Sequence, residues 1–371
     1  MKINAGDTVW VLTSAALVLF MTPGLALFYG GMVRAKNVLA MLMQNFFCLG
    51  LVSVIWAFLT YSLAFGGTGK WIGNFDFVGL KDAAQIYPTG FEGLTIPPLA
   101  FMAFQMMFAI ITPALITGAI ADRMKFSAWV LFLGLWAILV LGKRKGWPGH
   151  PMPPHSLPLT LIGAGILWFG WFGFNAGSAL AGNALAAQAL VNTHMAAAAA
   201  MLGWLIVERV KTGHATTLGA ASGLVAGLVA ITPCAGFVGG LAPLVIGAIA
   251  GGVCMLAVGM KFKFGYDDSL DVIGVHLVGG VLGSILLGLF ADVTVNAAGR
   301  DGVFFGGGWG LFGEQVLAVV ATVVYSFVVT FIIMFVLNKV MPGGVRVEEE
   351  DEQIGLDQTQ HAETGYALEL V

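Results

Sequence analysis

The sequence predicts an all-α polytopic membrane protein, and three observations predict it. Long apolar stretches recur from end to end, each near the ~20 residues a helix needs to cross a bilayer core. Only 10% of the 371 residues are charged and 58% are hydrophobic, where a soluble domain carries about 25% charged residues. Mean hydropathy is +0.90. Short clusters of Lys and Arg punctuate the stretches, as the cytoplasmic loops of a multi-pass protein do.

Taken in order, about ten apolar segments run 9–28, 38–65, 97–121, 126–141, 157–180, 185–207, 216–232, 237–260, 272–291 and 315–338. The first follows MKINAGDT directly at full spanning length. It lacks the short apolar core and small-residue cleavage site of a removed signal, so it reads as the first span. Pro23 and Pro113 mark kinks within spans that neighbouring helices must accommodate. Glycines at four-residue spacing (Gly219, Gly223 and Gly227; Gly247 and Gly251; Gly279 and Gly283) let helix backbones approach closely in lipid. Cys48, Cys234 and Cys254 lie in or beside apolar stretches without metal-ligand spacing and read as small packing residues. From Pro342 the chain turns acidic and polar. This tail, 342–371, reads either as a solvated disordered segment or as a docking segment.

Basic clusters lie at Arg34/Lys36, Arg123/Lys125, Lys143–Lys145, Arg209/Lys211, Lys261/Lys263 and Lys339/Arg346. If all are cytoplasmic, consecutive clusters must be separated by an even number of spans. Two spans separate them nearly everywhere. The exception is FSAWVLFLGLWAILVLGKRKG, one apolar stretch basic at both ends. Its roughly sixteen residues reach only ~24 Å against a ~30 Å core. The simplest account joins the start of one span to the end of the next, with the loop between them missing.

The net charge of −3, with no basic stripe, argues against a nucleic-acid partner. No HExxH, GxSxG or paired intramembrane carboxylates occur, so an enzyme is not expected, and no cofactor is implied.

The chemistry falls to polar residues inside spans. His276 opens the stretch DVIGVHLVGGVLGSILLGLF and shares a helical face with Gly279, Gly280 and Gly283. That face suits a pore wall or a helix contact, and a titratable intramembrane residue points to function. A neutral histidine bonded across helices is the structural alternative. Asp271, five residues earlier, either faces the vestibule at the cytoplasmic end or caps the helix. In GILWFGWFGFNAGSAL, Trp171, Phe174 and Ser178 share one face with Asn175 beside them. Aromatic faces attract a small cation and a hydroxyl accepts its hydrogen bonds, although aromatics near a span end also serve as interfacial anchors. Phe104 and Phe108 stack at i, i+4 around Gln105, a pattern that also fits plain packing. His194 reads as a residue bonded across helices.

TPGLALFYGGMVRAKN, AFQMMFAIITPALITGAIADR, WFGWFGFNAGSAL, DDSLDVIGVHLVGG and GLDQTQHAETGYA, in this order along almost the whole chain, resemble the ammonium transporter (Amt/Rh) family. The resemblance implies eleven helices in two inverted five-helix repeats plus a last long helix. Here these would be a transmembrane domain over 1–341: a first repeat 9–145, damaged around 126–145, a second repeat 155–291, and a last helix 315–338. It further implies a homotrimer in a prokaryotic cell (inner) membrane with a cytoplasmic tail, ammonium or ammonia as substrate, and PII-type regulatory proteins as tail partners. Phe108 and Phe174 match stacked phenylalanines that gate the outer pore mouth, with Phe104 beside them. Ser178 matches the serine of the external recognition site and Trp171 a pore-lining tryptophan. Asp271 matches an acidic residue at the cytoplasmic end of the histidine-bearing span, and His276 the second of twin pore histidines.

The physical logic is that bare NH4+ pays a large desolvation cost in an apolar lumen whereas NH3 pays little. An aromatic mouth captures the cation, the lumen favours loss of its proton, and imidazoles guide NH3 and relay the proton. K+ has neither a proton to release nor a hydrogen-bond donor. The sequence departs from the family between Val140 and Leu141, where family members carry a loop and most of a span. That segment bears a tryptophan of the outer site, an aspartate below it and the first pore histidine. Impaired conduction is therefore expected. The alternatives are a non-conducting membrane sensor acting through its tail and a generic cation channel.

Overall fold

The computed structural model describes residues 2–69, 71–132, 141–150 and 152–366. Eight of its helices are long and apolar enough to cross a membrane. They are α1 (Ala5–Met32), α2 (Ala35–Phe65), α3 (Pro98–Ile120), α5 (Leu157–Ala179), α6 (Ala184–Thr212), α8 (Ala242–Phe264), α9 (Ile273–Phe290) and α10 (Gly310–Val340). Between them lie the short α4 (Phe126–Phe132) and the fifteen-residue α7 (Thr217–Ile231), and the tail carries α11 (Glu349–Ile354) and α12 (Leu356–His361). Each predicted apolar segment finds its helix. The fused stretch 126–141 is described to residue 132 and again from Leu141, so its junction at Val140 lies outside the described residues.

Local chemistry sets the ends. Asn4, Ser156, Asn183 and Thr216 each accept a backbone N–H of the turn that follows, starting α1, α5, α6 and α7. Gly213 and Gly265, at φ 84° and 71°, close α6 and α8 after basic last turns. The helices α1 and α3 continue through Pro23 and Pro113.

Small residues decide how the spans pack. A Cβ added to Gly247 or Gly251 of α8 would lie 2.2 or 2.0 Å from the carbonyl oxygen of Ala196 or Ala200 on α6. Gly227 of α7 presses on the same two alanines from the other side, and Gly283 of α9 would place a Cβ 2.0 Å from the Ala230 oxygen. The predicted glycine spacing is thus a packing device, with backbones in contact where a methyl cannot enter. Cys48, Cys234 and Cys254 are buried free thiols in the same packed interior.

On the basic face the loops lock around buried carboxylates. Arg123 Nη1 donates to Asp267 Oδ2 at 2.7 Å, and Arg144 Nη2 to Asp267 Oδ1 at 2.9 Å. Arg34 and Arg144 also reach Asp122. Arg123 and Arg144, members of the basic clusters that the sequence assigns to short loops, are buried structural cations. Both flanks of the fused stretch meet on one carboxylate. Burial pushes Asp267 up, but hydrogen bonds and charge from Arg144, with Arg123, hold it below the usual carboxylate range.

The tail docks onto this face. Lys125 N donates to Val345 O and Val347 N to Arg123 O, around the bridge Met124–Arg346. Buried Glu352 accepts from Arg346 and from Lys145 N, and Asp357 accepts from Ala40 N at 2.8 Å. Of the two readings of the tail the docking segment fits the contacts: Glu352 and Asp357 find protein donors in place of water, and Val347 and Leu356 leave water to pack with Ala40.

Candidate functional site: an aromatic mouth above a histidine-bearing cavity

Two spans bring the mouth together. On α3, Phe104 and Phe108 meet edge-on at 4.9 Å between ring centroids; on α5, Trp171 and Phe174 meet at 5.3 Å. The rings of Phe108 and Phe174 meet across the interface at 4.6 Å between centroids, tilted by 46° and so not stacked face to face. Phe104 is fully buried behind them, so it supports the pair from within the protein. The helical run of α5 ends at Ala176, and Ser178 sits in a 3-10 turn beyond it, exposed, its hydroxyl donating to Phe174 O at 2.7 Å. The serine keeps its oxygen lone pairs for a visitor at the outer end. Asn175 is not beside this group. It is turned about 100° from Phe174 and buried, its amide donating to Thr193 Oγ1 of α6 at 2.9 Å.

Below the ring pair runs a cavity of ≈320 Å3 between α1, α3, α5, α7 and α9. Trp171 and Phe174 line its top, His276 and Gly280 its lower wall, and Met21, Leu25 and Leu167 most of the rest. The lining is overwhelmingly apolar, which disfavours a charged occupant and tolerates a neutral one. The structure therefore joins Trp171, Phe174 and His276 in one space, places Phe108 against it, and leaves Ser178 above and Asp271 below.

His276 sits in a π turn over Ile273–Leu277 at the start of α9, an insertion often found at functional positions. Its Nε2 lies 3.3 Å from the Tyr29 hydroxyl, which also reaches Leu115 O at 3.3 Å. The hydroxyl has one proton for two acceptors. When that proton goes to Leu115, the imidazole must bring an Nε2 proton of its own. The glycine face of α9 divides: Gly283 packs on α7, while Gly280 stays in the cavity wall beside His276.

Asp271 neither caps the helix nor stands free. It takes a left-handed backbone (φ 60°), and Lys261 Nζ donates to its Oδ1 in a mostly buried ion pair. The cap is Asp268, whose Oδ2 accepts from Ile273 N at 2.8 Å and Gly274 N at 3.2 Å. Its other oxygen, Oδ1, is buried without a hydrogen bond. Burial, and then the neighbouring Asp271 charge, push Asp268 up to about 6. Burial likewise raises Asp271, against the pull of Lys261.

Sequence reasoning missed four contributors. Tyr29 lay in the quoted TPGLALFYGG but carried no spacing signal toward His276. Thr232 accepts the Trp171 indole N–H at 2.9 Å and passes its own proton to Leu228 O, so the indole offers the cavity a ring face and no donor. Lys261 and Asp268 looked like ordinary residues at span ends. His194, expected to bond across helices, instead stacks on Trp168 at 5.2 Å and is exposed, because it faces outward from α6.

A polytopic helical protein with an aromatic mouth, an apolar interior cavity and a histidine in its wall is a membrane transport protein for a small solute. The chain belongs to the Ammonium Transporter Family, whose profile matches residues 9–137 and 132–366. An ammonium transporter of Mycobacterium tuberculosis is 45% identical over 433 residues, covering 98% of this chain and 90% of its own. One of Bacillus subtilis is 44% identical over 404 residues, covering 97% and 98%. Among solved structures, that of Saccharomyces cerevisiae Mep2 superposes with a TM-score of 0.86 at 30% identity over 94% of this chain and 89% of its own. A structure described as "Sensor Amt Protein" superposes with a TM-score of 0.84 at 25% identity over 96% and 98%.

Proposed function

We propose that this chain recognises ammonium at the outer mouth built by Phe108, Phe174 and Ser178, and that neutral ammonia is what the cavity beneath accepts. The observation that carries this is the close Phe108–Phe174 ring pair, of which Phe174 lines an apolar space that also reaches His276. A cation held by ring faces and a hydroxyl must shed its charge before it enters such a space. Tyr29 orients His276 from α1, and Thr232 turns the Trp171 ring face inward. Asp271, paired with Lys261, neutralises the inner end instead of serving as a free acceptor.

We further infer that a segment after Val140 is absent from this chain and that conduction is impaired as a result. Three observations support this. The family profile matches in two pieces that overlap at 132–137 instead of one continuous run. The 433 aligned positions in the mycobacterial relative exceed the 371 residues available. Arg123 and Arg144, on either side of the stretch, reach the same carboxylate, so a single crossing between them is out of reach. The span parity noted in the sequence has the same source. With that segment goes the first pore histidine that the family resemblance implies.

Uptake of labelled methylammonium into cells lacking other carriers tests the reading. The 371-residue chain is expected to show little or none, and robust saturable uptake would overturn it. Intact mass of the expressed protein settles whether the segment is missing. The tail, docked through Glu352 and Asp357, belongs on the cytoplasmic side with the basic loops, within reach of a PII-type regulatory protein, and a homotrimer is the expected assembly. A second reading, a non-conducting sensor acting through that tail, is favoured by the docked acidic segment. Tail-dependent capture of a PII-type protein without uptake would support it.

A further inference from the structure

The cavity that ends on His276 is thinly walled on one flank. A second cavity, ≈630 Å3, runs between α3, α9 and the last helix α10, and Leu115, His276, Gly280 and Ser284 line both. Among the described residues the wall between them is one side chain thick. On α10 the lining residues run from Gln315 to Phe331 along one helical face, a length of ~24 Å. The groove thus covers most of a ~30 Å bilayer core. The other faces of α10 are open to the bilayer, with Leu317 at 69%, Val324 at 56% and Tyr325 at 70% exposure.

Its lining and its setting decide what it can hold. The groove is apolar over most of the bilayer's depth and lies beside a helix whose other faces meet lipid, so it is continuous with the hydrocarbon of the membrane. Touching carbon atoms sit about 4 Å apart, so one extended hydrocarbon chain needs a slot only roughly 20 Å2 in section. The lining carries no charged residue; apart from His276 its polar members are Gln315 and the hydroxyls of Ser284, Thr322, Ser326 and Thr330. Such hydroxyls are satisfied in lipid by the carbonyl one turn back, as Ser53, Thr112 and Thr193 are here.

We propose that the groove between α9 and α10 takes a phospholipid acyl chain, which lies against His276 and opens the histidine-bearing cavity sideways to the bilayer. The inference stands whether or not the pore conducts. In this chain the lateral seal of the lumen is then lipid, and the mouth and the inner end are not its only exits. A neutral solute reaching His276 has an apolar side path into the membrane.

The test places the 371-residue chain in vesicles of phosphatidylcholine carrying a diazirine midway along one acyl chain. After photolysis, adducts are mapped by mass spectrometry of peptides. Leu317, Val324 and Tyr325 face the bilayer and serve as positive controls within the same molecule. The expected result is labelling of Val281, Ser284 and Ser326 within three-fold of those controls. In Val319→Trp, which fills the groove, labelling at Val281 and Ser284 is expected to fall at least five-fold while that at Val324 and Tyr325 stays. Adducts confined to the controls would overturn the proposal. So would rapid modification of Ser326→Cys by a charged, membrane-impermeant thiol reagent, which would make water the occupant. A disulfide between two copies of that variant would make a protein segment the occupant and overturn it equally.

Discussion

Replacing Asp267 by alanine is the sharpest perturbation of the basic face. Its carboxylate accepts from Arg123 Nη1 and from Arg144 N, Nε and Nη2, all between 2.7 and 3.2 Å. The side chains of Asp267, Arg123 and Arg144 are 1%, 0% and 4% exposed. Truncation leaves Arg123 with the backbone carbonyls of Ala119 and residue 267 and only the charge of Asp122, with which it makes no ion pair, while Arg144 keeps Asp122 at 3.4 Å. Removing one partner of a buried pair costs about 3–5 kcal/mol, and because Asp122 remains, the lower half of that range is expected. Denaturant unfolding in micelles, followed by tryptophan fluorescence, reads it. A cycle with Arg123→Met isolates the pair: the double variant is expected to lose about 2 kcal/mol less than the sum of the singles. Against burial, the arginines hold Asp267 below the usual range. The stabilisation is therefore fully present above an ordinary carboxylate pKa of about 4 and fades as pH falls through the lowered value. The difference between wild type and Asp267→Ala should be flat from pH 5 to 8 and shrink only in stronger acid. A loss under about 1 kcal/mol at pH 7, or additivity of the two singles, would refute the reasoning.

Asp268 behaves with the opposite sign. Raised to about 6 by burial and Asp271, its contribution is present in full below about pH 4 and is lost as pH rises through 6. Asp268→Asn keeps an oxygen for Ile273 N and Gly274 N, so its stability should decline less than wild type between pH 5 and 7, by about 1 kcal/mol; parallel pH profiles would contradict this. Gly251→Ile would drive a side chain into the Ala200 carbonyl and is expected to abolish the folded protein in gel filtration, whereas Gly50→Ala, with open space around it, should not. Thr232→Val strands the Trp171 indole N–H in an apolar wall and should cost about 1–3 kcal/mol, with Thr232→Ser restoring most of it; equal losses in both would show that the bond does not matter. Glu352→Ala removes the acceptor shared by Arg346 and Lys145 N, and trypsin should then cut at Arg346 at least ten-fold faster.

Much of the molecule was legible in the linear sequence because the bilayer imposes one rule on every span. A helix must satisfy its own backbone, so twenty apolar residues predict a crossing wherever they stand. All the predicted segments accordingly have helices. The glycine spacing was legible too, since only a missing side chain lets α6 and α8 meet at Gly247 and Gly251. The mouth was half legible: Phe104 with Phe108, and Trp171 with Phe174, are neighbours on their own helices.

What remained needed the third dimension. The contact of Phe108 with Phe174 joins residues 66 positions apart, and the Tyr29–His276 contact joins α1 to α9. No periodicity encodes such pairs. Asp267, Asp268 and Asp271 look alike in DDSLD, yet the structure makes one an arginine clamp, one a helix cap and one the partner of Lys261. Their separate fates depend on which cations and backbone donors the packed helices bring near, and on how much water those helices exclude. By itself the sequence determined the spans, their packing faces and the chemistry available at each. The tertiary structure alone decided which of those groups share a cavity, because burial and distance, which set the energy of every charge and hydrogen bond, exist only after the helices have packed.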